Sequence, residues 1–353
     1  MEKKRLLKGA EAIGEAAIRS RCNRFYGYPV PNQSDLMEYL VQEEAKGRNL
    51  TVFQSEDPLS ALFMAYGATL AGARTLTAVN SIDAPDLLRA ISYFTAAELP
   101  LVSVLFTQSG PGSGNIYPEQ SQTLGLLFGA RMGDGFAPVL CPSTPSDCAA
   151  ATYEAFRIAE KYQVPVILLV DAACAQLEET VDFSSIGFRD IRSKRTHIRG
   201  MRDRKKRIST TLFLDTDIMS KRKGLLREKK TAFLKQETGT YRQSGKESEN
   251  LFVAFGISAI QARRVVDALL KDQVTCAVFE PTSLFPFPEE AFSASLTAAR
   301  HLFLIDMSDG QLATLLAPLI PSSISVHRFE PLGGIVPRVE EIRRWTHQIL
   351  QSS

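Results

Sequence analysis

Short apolar runs and longer amphipathic stretches alternate along the first half of the chain, and their two periods assign the elements. Residues 24–28, 50–54, 74–80, 101–107, 138–141 and 164–170 read as strands. The stretches 9–21, 32–45, 58–71, 84–97, 118–129 and 146–161 read as helices. Pro58 falls in the first turn of its helix, where proline is tolerated. Ser143 and Ser146 are N-cap candidates for the last of these helices. The run from Val164 to Val170 is almost uninterruptedly apolar, as expected of a parallel strand covered on both faces. Strict alternation of strand and helix predicts a doubly wound α/β domain over residues 1–185.

The pattern breaks at Arg192. Residues 192–230 hold fifteen Lys/Arg against four Asp/Glu, with little apolar period. Such a run is a cationic clamp for nucleic acid or acidic lipid, or an exposed connector whose helical part rests on a partner subunit; the second reading suits a solvated charge run better. With the polar stretch 236–250 it forms a basic/polar linker over 186–250. Alternation resumes at Leu251: strands over 251–255, 274–280, 301–306 and 323–328, helices over 258–271, 289–298, 310–319 and 337–350, and a proline-rich loop over 281–288. A second doubly wound α/β domain over 251–353 is the expectation.

Composition changes this picture little. The 353 residues are 44% hydrophobic and 23% charged, with net charge +2, so overall electrostatics favour neither nucleic acid nor membrane as a partner. No apolar run approaches the roughly 20 residues that span a bilayer, and the basic N-terminus leads into an amphipathic helix rather than a signal core; the expected location is cytoplasmic. Cys22, Cys141, Cys148, Cys174 and Cys276 are never spaced CxxC, so they read as buried reduced thiols rather than as ligands of a cluster or zinc. His197, His301, His327 and His347 are scattered and make no metal or nucleophile pattern.

The chemistry sits in a collinear series of motifs. Gly27-Tyr28-Pro29-Val30-Pro31-Asn32-Gln33 is followed by Gln54-Ser55-Glu56-Asp57-Pro58, Tyr66-Gly67-Ala68, Ala97-Glu98-Leu99-Pro100 and Gln108-Ser109-Gly110-Pro111-Gly112-Ser113-Gly114-Asn115. The second half adds Ala254-Phe255-Gly256-Ile257-Ser258, the stretch from Glu280 to Pro288, Asp306-Met307-Ser308-Asp309-Gly310-Gln311 and Leu332-Gly333-Gly334-Ile335-Val336-Pro337. Together they resemble the α subunit of the thiamine-diphosphate-dependent 2-oxoacid:ferredoxin oxidoreductases, the pyruvate, 2-oxoglutarate and branched-chain 2-oxoacid enzymes. The resemblance covers nearly the whole chain. It implies a pyrimidine-binding domain followed by a transketolase C-terminal-like domain.

It also implies a reaction: oxidative decarboxylation of a 2-oxoacid to an acyl-CoA, with electrons passed to ferredoxin. Thiamine diphosphate would be shared with a β subunit that carries Mg²⁺ and a 4Fe–4S cluster, with γ or ferredoxin-like subunits completing a dimer of heteromers. By the same resemblance, Tyr28, Pro29 and Glu56 face the cofactor, and Asn32, Gln108 and Asn115 face the substrate. Three positions depart from the family pattern. The glutamate that hydrogen-bonds the aminopyrimidine ring stands nine residues before the glycine matching Gly67, where this chain has Pro58; Glu56 is the nearby substitute, its other reading being that Glu56 and Asp57 complement the helix dipole. Pro31 and Asn32 replace a threonine hydroxyl. Gln108 replaces an arginine, and a neutral amide cannot make the charge-assisted bidentate contact with a carboxylate. Arg89 stands where the family often has an acid. Backbone N–H groups of the 110–114 loop can face an anion, or the loop is simply a tight strand-to-helix turn. The departures leave three functions to weigh: a catalytic α subunit with a relocated acid, a catalytically reduced scaffold of the same complex, or an unrelated thiamine-diphosphate protein acting on uncharged or unusual acids, which explains Gln108 but not Pro58.

Overall fold

The computed structural model describes residues 3–29, 34–189, 191, 198 and 208–352. In chain order its elements are β1 (Lys4–Lys8), α1 (Gly9–Arg19), β2 (Arg24–Gly27), α2 (Ser34–Ala45), β3 (Thr51–Gln54), α3 (Pro58–Leu70), β4 (Thr75–Asn80), α4 (Ala84–Ala97), β5 (Leu101–Thr107), α5 (Thr123–Gly129), β6 (Val139–Leu140), α6 (Pro145–Tyr162), β7 (Pro165–Asp171), α7 (Ala172–Gln176) and β8 (Glu178–Asp182). They continue with α8 (Thr216–Gln236), β9 (Tyr241–Gly245), β10 (Asn250–Val253), α9 (Gly256–Lys271), β11 (Ala277–Pro281), β12 (Ser283–Phe285), α10 (Glu289–Leu296), β13 (His301–Ile305), α11 (Gln311–Leu316), β14 (Ser325–Phe329) and α12 (Val339–Ser352).

The larger sheet runs β12-β6-β7-β5-β4-β2-β3 and the smaller β14-β13-β10-β11-β9. Every pairing in them is parallel except β12 on β6 and β9 on β11. Residues of β4, β5 and β7 are buried along their whole length, as helices on both faces require. This is the expected α/β architecture with two doubly wound sheets, each closed at one edge by an antiparallel strand. β12 lies within the stretch read as a proline-rich loop, and it crosses over to pair with β6 in the first half.

The stretch read as a connector holds α8 and β9. α8 packs against its own chain. Phe233 is fully buried, edge-on to Tyr162 at 5.0 Å and beside Phe136 at 5.3 Å. Lys223 pairs with Asp134 at 2.7 Å, Lys229 pairs with Glu98, and Arg222 donates to the Ala96 carbonyl at 2.8 Å. Residues 192–197 and 199–207, with His197 among them, lie outside the described residues. A further pair of strands, β1 and β8, makes a two-stranded antiparallel sheet that the apolar pattern does not show.

The two halves share one hydrophobic core and a buried polar seam. Gln120, 1% exposed, donates through Nε2 to the Phe255 carbonyl at 2.8 Å, and its Oε1 accepts from the Ser258 hydroxyl at 3.2 Å and the Met307 amide at 3.1 Å. Asp171 at the end of β7 accepts from Cys174 N and, at 2.8 Å, from Ile257 N at the start of α9; burial pushes its carboxyl above the usual range. Gly256 has φ +57°, and a Cβ there would stand 2.3 Å from the Asp171 carboxylate. Only glycine lets the α9 N-terminus come this close.

Candidate functional site

In the larger sheet the chain passes from β2 outward to β3, then returns to lay β4 against the opposite side of β2. The direction of winding reverses there, and the crevice beyond the carboxyl ends of such strands is where open α/β sheets bind ligands. The motif residues lie at these ends. Tyr28, half-buried, and Pro29, exposed, leave β2; Glu56 leaves β3; Asn80 and Ser81 end β4; Gln108 ends β5.

Strand-end contacts bind Tyr28 and Glu56 into one lip. Ser55 donates to the Gly27 carbonyl through its amide at 2.9 Å and its hydroxyl at 3.2 Å. Beneath it the Tyr26 and Phe53 rings stack at 5.0 Å. The two carboxylates that follow have different fates. Asp57 is the N-cap of α3, accepting from the Ser60 hydroxyl and, at 2.8 Å, from the Ser60 amide; these bonds hold its carboxyl below the usual range. Glu56 is exposed and enters no hydrogen bond or ion pair with any described residue. Pro58 takes the first helical position, where a missing N–H costs nothing.

Gln108 is 8% exposed and clasped from β4. The Ser81 hydroxyl accepts from Gln108 N at 3.0 Å and donates to Gln108 O at 3.1 Å, while Asn80 Nδ2 donates to Gln108 Oε1 at 3.3 Å. Beyond it the glycine-rich loop turns back sharply. Gly114 has φ +44°, and a Cβ there would lie 1.7 Å from the Ser109 carbonyl oxygen, so the turn demands glycine. Buried Glu119 holds the loop, accepting from Gly110 N at 2.9 Å, the Ser121 hydroxyl at 2.7 Å and the Ser109 hydroxyl at 3.4 Å.

Asn115 fastens this loop to the second half of the chain. Its Nδ2 donates to the Gly333 carbonyl at 3.2 Å and its Oδ1 accepts from Tyr117 N at 2.9 Å. Both edges of the amide therefore have structural partners. Around it Ile116, Tyr117, Leu332 and Ile335 are exposed at 55%, 60%, 52% and 58% and form an apolar rim. Asn32 and Pro31 lie outside the described residues. The fold thus brings Tyr28, Pro29 and Glu56 together, sets Gln108 two strands away across β4, and places Asn115 at the seam between the halves.

Motif reading singles out none of Asn80, Ser81 or Glu119. The signal for the first two is a polar pair ending an otherwise apolar strand, which gains meaning only once β4 is known to neighbour β5. Among the described residues, no group of three or more His, Cys, Asp or Glu side chains could hold a metal ion. No helix among them is long and apolar enough to cross a membrane.

Comparison with known proteins identifies the family and the fold. Residues 15–238 match the family described as pyruvate flavodoxin/ferredoxin oxidoreductase, thiamine diphosphate-binding, and residues 248–342 match pyruvate:ferredoxin oxidoreductase core domain II. The chain is 31% identical over 349 residues to ketoisovalerate oxidoreductase subunit VorB of Methanothermobacter marburgensis, covering 99% of this chain and 98% of that one. It is 29% identical over 314 residues to 2-oxoglutarate synthase subunit KorA of Archaeoglobus fulgidus, covering 87% and 88%. Among solved structures, the fold matches the 2-oxoglutarate:ferredoxin oxidoreductase of Magnetococcus marinus, determined with 2-oxoglutarate, coenzyme A and succinyl-CoA bound. The TM-score is 0.84 at 21% identity, over 98% of this chain and 65% of that one. A split-gene transketolase, described as an inactive beta4 tetramer, matches at TM-score 0.61 and 14% identity. Family match, full-length relatives and fold coincide: this chain belongs to the 2-oxoacid:ferredoxin oxidoreductases, as the α subunit of a multi-subunit oxidoreductase.

Proposed function

We propose that this subunit supplies the pyrimidine side of a thiamine-diphosphate pocket, that a β subunit supplies the diphosphate side with Mg²⁺ and a 4Fe–4S cluster, and that the complex converts a 2-oxoacid and CoA to acyl-CoA and CO₂ while reducing ferredoxin. γ or ferredoxin-like subunits would complete a dimer of heteromers. When bound, thiamine diphosphate supplies the nucleophilic carbon and the electron sink for decarboxylation. The residues here fit half of such a pocket. Glu56 is the carboxylate at the lip that the fold has not engaged, whereas Asp57 is consumed as a helix cap. Its role would be to hold a proton at the aminopyrimidine ring nitrogen. Covering by the β subunit would give it the low dielectric that tunes a carboxyl for this work. Tyr28 and Pro29 would wall the ring, and Gln108 and Asn32 would be the donors to the substrate carboxylate. Asn115 would act by fixing the loop rather than by touching substrate. The rim of Ile116, Tyr117, Leu332 and Ile335 supports a covering partner.

The observation that carries this reading is an uncommitted Glu56 beside Tyr28 at the switch point of a chain related end to end to VorB. A second reading, a catalytically reduced scaffold, is favoured by Pro58 in place of the expected acid. The test is viologen reduction by the complex co-expressed with its β subunit, given CoA, thiamine diphosphate and a series of 2-oxoacids beginning with 2-ketoisovalerate. Glu56→Gln should lower turnover by roughly 10² or more. Wild-type rates retained in Glu56→Gln would exclude Glu56 as the acid. A stable complex inert towards every 2-oxoacid would establish the scaffold.

A further inference from the structure

We propose that a groove of about 650 Å³ at the β12 edge of the larger sheet is a second ligand site, built for a phosphomonoester whose apolar or aromatic body lies along its wall. Arg131 and Lys230 hold the phosphate. The inference goes beyond the function proposed above and does not depend on it.

Three parts of the chain meet in this groove: Arg131 after α5, Lys230 and Leu234 on α8, and the stretch from Leu284 to Ala291 with Leu315 and Leu319. Strand register sets Phe285 beside Val139, the first residue of β6. The groove therefore lies at the amino ends of the parallel strands, whereas Tyr28, Glu56 and Gln108 stand at the carboxyl ends. A ligand here would touch the first half, the helix between the halves and the second half together.

The wall is apolar and its cations lack partners. Phe287, Leu315 and Leu319 are half-buried, and Phe285 is 8% exposed beneath the Arg131 guanidinium, which sits 4.7 Å from its ring centroid. Neither the Arg131 nor the Lys230 side chain enters a hydrogen bond or ion pair with any described residue. Half-buried cations nearby are committed: Arg157 to Glu154 and Glu237, and Arg222 and Lys229 to Glu98. Desolvation and the Arg131 charge push the Lys230 ammonium below its ordinary value, and Asp134, the carboxylate acting on it, is already paired with Lys223 at 2.7 Å. Two cations so placed repel each other until an anion comes between them. A phosphomonoester brings close to two negative charges at neutral pH, and its oxygens match the guanidinium fork. Glu289 and Glu290 line the same groove in the first turn of α10, without ion pairs, and act on neither cation. They exclude a second anionic group, so the ligand carries its charge at one end only.

The experiment is isothermal titration of the full-length subunit, and of the complex loaded with thiamine diphosphate and Mg²⁺ so that its diphosphate site is filled. Phenyl phosphate should bind about tenfold or more tightly than inorganic phosphate, because the ring adds buried apolar area. It should exceed benzoate, which brings a single charge to two cations, by a similar factor of about ten. Kd should rise about tenfold in Arg131→Gln and in Lys230→Gln, and stay within about twofold in Lys223→Gln, whose cation is already paired. Should Arg131→Gln fail to fold, Arg131→Lys takes its place; it keeps the charge without the fork, and a rise of about threefold is expected. Equal Kd for phenyl phosphate and inorganic phosphate would overturn the proposal, leaving an adventitious anion site only. So would unchanged binding in the Arg131 and Lys230 variants, or no binding of phenyl phosphate at all. Binding to the free subunit that disappears in the complex would overturn it too, marking the groove as a face covered by a partner. Turnover of a 2-oxoacid enters none of these readouts, so failure here and failure of the proposed function are separate outcomes.

Discussion

Gln120→Ala should uncouple the two halves of the subunit. The side chain is 1% exposed and serves the Phe255 carbonyl, the Ser258 hydroxyl and the Met307 amide, all in the second half. Truncation leaves these groups buried without their partner, at about 1–3 kcal/mol each. Partial relaxation brings the expected loss to roughly 3–6 kcal/mol. With a urea m-value of about 3 kcal/mol/M, the midpoint falls by about 1–2 M. The chain has a single tryptophan, and Trp345 on α12 packs edge-on against Phe303 at 5.6 Å and Phe329 at 5.4 Å, so its fluorescence reports the second half alone. Far-UV circular dichroism reports both halves. Urea titrations of the purified subunit should show the two probes coinciding in the wild type and separating in Gln120→Ala. A midpoint shift under about 0.3 M with coincident probes would mean that the shared apolar core and the Asp171–Ile257 bond hold the seam without Gln120.

Other consequences are as direct. Phe233→Ala removes the buried anchor of α8 and should cost about 3–5 kcal/mol, read as earlier tryptic cleavage within Thr216–Gln236. Asp306 is 1% exposed; its Oδ2 accepts from the Ser308 hydroxyl at 2.5 Å and Leu312 N at 2.9 Å, and desolvation raises its pKa to about 6 from 3.8. A carboxyl raised on folding favours the folded state while protonated, so its contribution is present below about pH 4 and lost as pH rises through about 6. That amounts to about 3 kcal/mol, and Asp306→Asn should flatten this segment of the stability–pH curve. Gly114→Ala drives a methyl into the Ser109 carbonyl and should abolish substrate turnover, while the melting temperature of the complex moves by only about 5 °C, since the strain is confined to one surface loop.

Elements whose stability comes from a continuous apolar face were legible in the chain; those assembled from charge were not. β5 and β7 announce themselves because every residue is covered. β1 is Lys-Arg-Leu-Leu-Lys and β8 Glu-Glu-Thr-Val-Asp, and their match lies in opposite charges facing across the pair, Lys4 opposite Asp182 and Lys8 opposite Glu178, which neither strand shows alone. α8 has one buried residue and otherwise rests on ion pairs, so it reads as a solvated connector. The helix expected over 118–129 starts only at Thr123 because the residues before it are spent elsewhere: Pro118 bridges to Gln108, Glu119 holds the glycine-rich loop and Gln120 binds the second half. Tyr28, Glu56 and Gln108 could be named from motifs, through the family resemblance that those motifs carry. The clasp of Asn80 and Ser81 on Gln108 depends on strand order, which no local pattern encodes.

The departures at the strand ends also show why the fold survives a change in its chemistry. At position 58 the chain needs only something that starts a helix, and the first helical position has no intrahelical partner for its N–H, so proline serves as well as glutamate. Asp57 caps α3 whichever residue follows it, and Ser60 returns two bonds to it. Stability therefore imposes no acid at position 58, and a carboxylate there answers to the reaction alone. The converse gives a clean perturbation: Pro58→Glu places a negative charge in the first turn of α3, where the helix dipole favours it, while Asp57 keeps the cap. The variant should fold as the wild type does, within about 1 kcal/mol. Any change in its turnover then reports the position of an acid in the pocket and not the integrity of the sheet. A gain would show that the scaffold still presents the ring to position 58. A loss that Glu56→Gln reproduces would show that the acid has moved two residues back, to the lip beside Tyr28.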